Sequence, residues 1–400
     1  MQGKPLSGSF DVAILGGGPA GAATALALKR RDAGLRVALV EKSDYSAFRV
    51  GETLPPPARR LLERLGVWDA FPACTAIEAY GTRAAWGSAR IQENAFIFSP
   101  LGRGWHVDRR AFDAWLAGEA ERAGVDVFRG VRGDARSRHQ DDWIVTLVEN
   151  VAASGELRAR VLVDAGGRQS AVSRARGARH LVFDRLVGVA VRLRIDRARP
   201  GPDTYTLVEA CPHGWWYTAT LPHGHLIAIF MTDASHLRRA PWRTFDEWRA
   251  RAADAPLTAE RIACGTAVGE PVICPAGSQR LDRCAGDGWL AVGDAASTVD
   301  PLSSQGVMRA LRSGIVAARA IREHLAGSSD ALAAHDARLT KEYDDYLRTR
   351  AAYYAIEQRW PDSPFWRGRH ATVTQGGIAH AIRMENQHRE ESEEGRARRL

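Results

Sequence analysis

The stretch AILGGGPAGAATALALK, residues 13–29, constrains the fold of this chain more than any other. An apolar strand runs into glycines at 16, 18 and 21, then into strong helix formers behind Pro19. At that spacing Gly16 permits the tight turn, Gly18 lets backbone approach a pyrophosphate, and Gly21 lets helix and strand pack closely. The helix N-terminus then offers free N–H groups and the positive end of its dipole to phosphates. A second strand, RVALVEK (36–42), ends on Glu41, whose carboxylate can accept ribose hydroxyls and would repel a 2′-phosphate. The expectation is a Rossmann-like unit holding a dinucleotide.

Two later segments select the dinucleotide. In DRCAGDGWLAVGDAASTVDPLSSQGVMRALRSGIVAARAI (282–321) the strand WLAV ends in Gly293-Asp294, and a loop with Pro301 leads through Gln305-Gly306 into a long amphipathic helix. A strand-terminal Asp294 suits ribityl or ribose hydroxyls, and the N–H groups of a helix starting near Ser304 suit the pyrimidine edge of a flavin. In VLVDAGGRQSAVSRARG (161–177) another strand ends in Asp164, followed by Gly166-Gly167-Arg168. No second glycine fingerprint follows a strand, so no dedicated nicotinamide domain is expected. Reducing equivalents would come from transiently bound NAD(P)H or a separate reductase.

Composition narrows the function classes. The five cysteines form no CxxC pair and no zinc-ligand spacing, which argues against a dithiol mechanism and a structural metal. The net charge is +8, but RRLLER, VDRRAFD and HREESEEGRARRL interleave signs as solvated helix faces do, and no basic run alternates with aromatics as a nucleic-acid binder would need. No apolar stretch approaches the ~20 residues of a membrane helix, and MQGKPLSGSF has no secretory core, so a cytoplasmic protein without membrane partners is expected.

With these three segments in place, the chain resembles the flavoprotein superfamily of aromatic hydroxylases, flavin-dependent halogenases and geranylgeranyl-type reductases. HVDRRAFDAWLAGEAERAGVDV (106–127) is similar to its DRxxFDxxL helix. The resemblance implies noncovalent FAD, contacted by Gly16, Gly18, Gly21, Glu41, Lys42, Arg49, Arg109, Asp164, Gly167, Asp294, Pro301, Gln305 and Gly306. Here Asp-Ala-Gly-Gly stands where the hydroxylases have Asp-Gly. The implied fold is α/β: a Rossmann-like FAD-binding domain (1–79, 100–185 and 265–325) interleaved with an antiparallel β-sheet substrate domain (80–99 and 186–264). C-terminal helices with a polar tail would fill 326–400.

For the reaction, the halogenases need a lysine after a GExxxP segment. RVGETLPP (49–56) matches the segment, but YGTRAAWG offers Arg83, and no lysine lies between Lys42 and Lys341. An arginine stays too firmly charged to work as a neutral amine. The halogenase WxWxIP signature falls on GWWYTATLP, where Trp215, Tyr217 and Thr220 break it, and Ser303 stands where their glutamate is expected. Candidate catalytic residues are Glu52, bordering the cavity, Trp215 and Tyr217, sharing one strand face, and His106, a proton carrier. RVGETLPPPARRLLERLGVWDAF, GWHVDRRAFD and YYAIEQRWPDSPFWRGRH resemble the flavoprotein maturases that hydroxylate peptidyl tryptophan for tryptophylquinone cofactors. That branch implies FAD, molecular oxygen, a C4a-hydroperoxyflavin and a tryptophan in a partner protein or peptide. The C-terminal aromatics Tyr353, Tyr354, Trp360, Phe365 and Trp366 would dock the partner or form a lid on the FAD domain. The alternatives are a small-molecule hydroxylase, oxidase or reductase, and a non-catalytic FAD-bound assembly factor.

Overall fold

The computed structural model describes residues 7–71, 76–149, 152–196, 201–238, 242 and 244–374. Its first layer is a parallel sheet in the order 289–291, 152–164, 7–15, 37–41 and 126–129. An antiparallel hairpin, 132–139 and 142–149, extends it from the 152–164 strand. The strand Ser7–Leu15 is buried on both faces at its C-terminal end, as a central parallel strand must be. One face packs the fingerprint helix Pro19–Arg31, the helix Arg109–Arg122 and the helix Gly306–Leu325; the other packs Trp143, Leu157 and Trp289. Ten of the thirteen residues of the fingerprint helix are buried, which explains its run of alanines. Only small side chains let it lie against both sheet and neighbouring helix.

The second layer is a mostly antiparallel sheet in the order 265–267, 186–195, 225–233, 214–221, 205–211, 81–85 and 92–95, with 272–275 also on 186–195. Strand Gly214–Leu221 is buried throughout, because both faces are covered. Trp215 and Tyr217 face a cluster completed by Trp86, Tyr354, Phe365 and Trp366, whereas Trp216 faces Phe230, Trp242 and Trp248. The helices Ala331–Ile356 and Pro364–Thr374 clamp the first of these faces. Trp86 Nε1 donates to the Tyr353 carbonyl (2.8 Å), Trp366 Nε1 to the Cys211 carbonyl (2.9 Å), and Gly87 N to Glu357 (2.8 Å). The aromatic C-terminal segment is thus built into the sheet's core, apart from Tyr353, which is exposed. The polar tail expected over 377–400 lies outside the described residues. Among the described residues, no helix is long and apolar enough to cross a membrane, and no group of three or more His, Cys, Asp or Glu is placed to hold a metal ion.

Candidate active site

One cavity of about 1020 Å³ runs between the two sheets. At one end it is lined by Gly16, Gly18, Glu41, Lys42, Arg49, Asp164 and Gly167, in the middle by Arg109 and Asp294, and further along by Pro301, Ser304 and Gly306. The glycines have separate geometric tasks. Gly16 has φ +121°, and a Cβ there would sit 2.1 Å from the Ala165 carbonyl oxygen. A Cβ on Gly21 would sit 1.9 Å from the Gly16 carbonyl oxygen, so its hydrogen sets the helix-to-turn distance. A Cβ on Gly18 would meet nothing within 4 Å: this position opens into the cavity. The helices that begin there, after Gly18 and after Gln305, both lack a side-chain cap and have no acid in their first turn. Two uncapped N-termini facing one cavity form an anion cradle.

Acids and arginines fix the cradle's walls. Glu41 Oε2 accepts from Gly17 N (2.7 Å), and Arg49 bridges Glu41 (3.6 Å) and Asp113 (3.1 Å). Arg109 pairs with Asp113 through Nε (3.0 Å) and Nη2 (3.1 Å), and donates from Nη1 to the Val50 carbonyl (2.8 Å). Burial opposes its charge, but Asp113 with Glu52 and Asp294 more than restores it. Asp164 serves its own loop, accepting from Gly166 N (3.0 Å) and from Ser173 N and Oγ (2.8 Å each). The cradle therefore fits the dinucleotide of FAD: open backbone for the pyrophosphate, Glu41 and Asp294 for hydroxyls, and Arg109 between them.

The far end is mainly apolar, with Thr53 and Arg168 also on its wall. Val50, Gly188, Ile229, Met231, Cys274 and Ala276 surround Glu52 and Tyr217. Glu52 is 1 % exposed and neither carboxylate oxygen has a hydrogen-bond partner. Burial pushes it up to about 7, with the nearby backbone N–H groups of Glu52 and Gly51, and then the Arg109 charge, pulling the other way. Burial and the neighbouring Glu52 charge raise the Tyr217 phenol well above its usual range.

Several sequence expectations are corrected here. Trp215 does not border the cavity; its indole N–H donates to Tyr354 Oη (3.1 Å) inside the aromatic cluster. His106 does not border it either, being fully buried with Nε2 against Thr206 Oγ1 (2.9 Å) and pushed down to about 4 by burial. Gln305, which precedes the helix of Gly306, and Gly21 are not among the residues lining the cavity, and Gly21 packs closely against the Gly16 turn. Arg83, at the position considered for the halogenase lysine, lies on the strand Gly81–Ala85, pairs with Glu93 (2.8 Å) and Asp203, and is absent from the cavity wall. Sequence reasoning missed Met231, Cys274 and Thr206. Only their place on alternating strands marked them, and alternation gives a face without saying which cavity it meets.

Comparison with known proteins agrees with this geometry. The tryptophan halogenase family profile matches residues 11–94 and 77–397. LodB of Marinomonas mediterranea, named as an FAD-dependent oxidoreductase, is 30 % identical over 370 residues, covering 91 % of this chain and 97 % of its own. Among solved structures, the myxobacterial chondrochloren halogenase CndH superposes with a TM-score of 0.80 at 26 % identity, over 94 % of this chain and 89 % of that one. The peptidyl tryptophan dihydroxylase QhpG, described as essential for tryptophylquinone cofactor biogenesis, gives 0.72 at 26 %, over 90 % and 78 %. A glycine cradle, an interleaved β-sheet and matches along nearly the whole length have one reading: the chain belongs to the tryptophan halogenase family of FAD-dependent oxidoreductases.

Proposed function

We propose that this protein is an FAD-dependent monooxygenase that hydroxylates an indole ring, its substrate being a tryptophan side chain of a partner protein. The observation that carries this reading is the far end of the cavity, where the buried, unpartnered Glu52 carboxylate stands beside Tyr217 in a mainly apolar wall, with no described lysine beside them. Among the described residues, Lys42 is the one lysine that borders the cavity, at its dinucleotide end. The likeness to QhpG supports the indole and the peptidyl substrate. NAD(P)H or a separate reductase would supply the electrons.

FAD, when bound, supplies reductive activation of molecular oxygen. Gly16, Gly18 and the helix turn behind them would hold its pyrophosphate, Glu41 and Asp294 its hydroxyls, and the N-terminus at Gly306 would favour negative charge nearby. Val50, Ile229, Met231 and Ala276 exclude water and give an indole an apolar bed. When oxygen is added to an aromatic carbon, the hydrogen there must leave as a proton, its bonding pair returning to the ring. A Glu52 carboxylate oxygen accepts that proton. A group poised near neutrality serves this role better than an ordinary carboxylate would.

The test is mass spectrometry of a tryptophan-containing partner or peptide after turnover in chloride- and bromide-containing buffer. The expected product carries one or two added oxygen atoms on the indole. Unmodified indole despite rapid flavin turnover, or a halogenated ring, overturns the proposal.

A further inference from the structure

Behind the cavity wall, Tyr217 begins a line of hydrogen bonds that leads away from the substrate end. Its hydroxyl lies 2.8 Å from Thr53 Oγ1, which is 3.3 Å from Thr206 Oγ1, which is 2.9 Å from His106 Nε2. All four residues are buried. Strand pairing holds them together: Thr53 is opposite His106, and the strand of Thr206 pairs with that of Tyr217. The same pairing fixes Glu52, whose carbonyl accepts from Val107 N (2.9 Å). Its carboxylate, however, is left without a partner. The line is open at both ends, at the buried His106 Nδ1 and at the Glu52 carboxylate, but only the carboxylate end lies on the cavity wall, and an unpaired buried polar group facing a cavity points to function there.

We propose that Thr53, Thr206 and His106 are positioning residues that fix the Tyr217 hydroxyl beside Glu52, so that the carboxyl group exchanges the proton and the phenol orients it. What the proton is used for rests on the hydroxylase reading; the clamp itself does not. The chain is not a drain for protons. Glu52 holds its proton to about 7 and His106 only to about 4, so transfer to the imidazole is unfavourable by about a thousandfold. A neutral imidazole, though, can present Thr206 with either a donor or a lone pair. The three hydroxyls can therefore turn together: Tyr217 donates to ionised Glu52 and accepts from protonated Glu52. Besides Tyr217, the charged and titratable groups facing Glu52 are Arg109, Asp108 and Cys274. None of these belongs to the hydroxyl chain.

The experiment is infrared difference spectroscopy of the FAD-loaded protein against pH, following the carbonyl band of a protonated carboxylic acid. Glu52→Gln assigns the band by abolishing it. The wild-type band is expected to titrate near neutrality. Thr206→Val should move the midpoint by about half a pH unit or more at unchanged FAD content, and Thr206→Ser should restore it. If Thr206→Val does not fold, Tyr217→Phe must produce the shift. A wild-type midpoint in the ordinary carboxylate range, or a midpoint indifferent to the chain, overturns the proposal. If the band titrates and shifts as expected but no oxygen reaches an indole, the hydroxylase reading fails and the clamp stands.

Discussion

Gly18 and Gly21 are three residues apart in one motif, yet replacing them should damage different properties. A Cβ at Gly21 would lie 1.9 Å from the Gly16 carbonyl oxygen, so Gly21→Ala must push helix from turn by about 1 Å to reach even a tight contact. The fingerprint helix is buried against the sheet and its neighbours, so that opening disturbs a close-packed core. The expected cost is about 3 kcal/mol, or a loss of about 4 °C in melting temperature for the FAD-free protein. Gly18 has φ −71° and ψ −176°, open to any residue, and a Cβ there meets nothing within 4 Å. Gly18→Val should therefore leave the FAD-free protein within about 0.5 kcal/mol of wild type. Its methyl groups would fill the approach to the helix N-terminus, weakening FAD by at least about 100-fold, close to 2.7 kcal/mol. Thermal melts with and without added FAD separate the two. Gly18→Val should start at the wild-type FAD-free temperature and fail to rise with cofactor, since ligand stabilisation follows occupancy. Gly21→Ala should start low. A Gly18→Val protein that purifies fully loaded with flavin, or a Gly21→Ala protein as stable as wild type, would refute the assignment of these glycines.

Two further outcomes are expected. Glu52 is held up to about 7 from 4.5, so the fold takes up a proton there: its contribution is fully present below pH 4.5 and is lost as pH rises through 7, by about 3 kcal/mol. Denaturant titrations of the FAD-free protein at several pH values should show that decline, and Glu52→Gln should flatten it; an equal slope in both proteins counts against a buried, protonated Glu52. Arg83→Lys should yield no halogenated product by mass spectrometry with chloride or bromide, because that position pairs with Glu93 and Asp203 away from the cavity; chlorinated or brominated indole from this one change would restore halogenation as the activity.

What the sequence made legible was local chemistry. The turn at Gly16 needs a positive φ, the helix behind it needs small residues, and both requirements are written in consecutive positions. The alternation of Trp215, Trp216 and Tyr217 likewise gave two faces of one strand. Depth was not legible. Trp215 and Tyr217 share a face, but Tyr354 and Trp366 cover the first, leaving only the second at the cavity. His106 looked like a proton carrier because histidine usually titrates near neutrality; complete burial, visible only in three dimensions, removes it from that range. Thr206 and Cys274 lie far from Glu52 in the chain, and no local pattern announces that one sheet packing against another sets Thr206 against Thr53 and Cys274 near Glu52.

The rim of the cavity also has an order of assembly. Asp300, next to the lining residue Pro301, is held by Tyr354 Oη (2.7 Å) and Arg350 Nε (3.3 Å), while Tyr346 Oη accepts from its backbone N–H (2.7 Å). During synthesis the strand, turn and helix of the glycine motif emerge well before their parallel neighbour 152–164. The restraints on Asp300 come from residues made later still, so the cavity wall beside Pro301 is fixed only after both halves of the cradle have been made. The same three side chains that anchor the helix Ala331–Ile356 thus also set one wall of the cofactor cavity, so the seat of the flavin and the docking of that helix share a single set of hydrogen bonds.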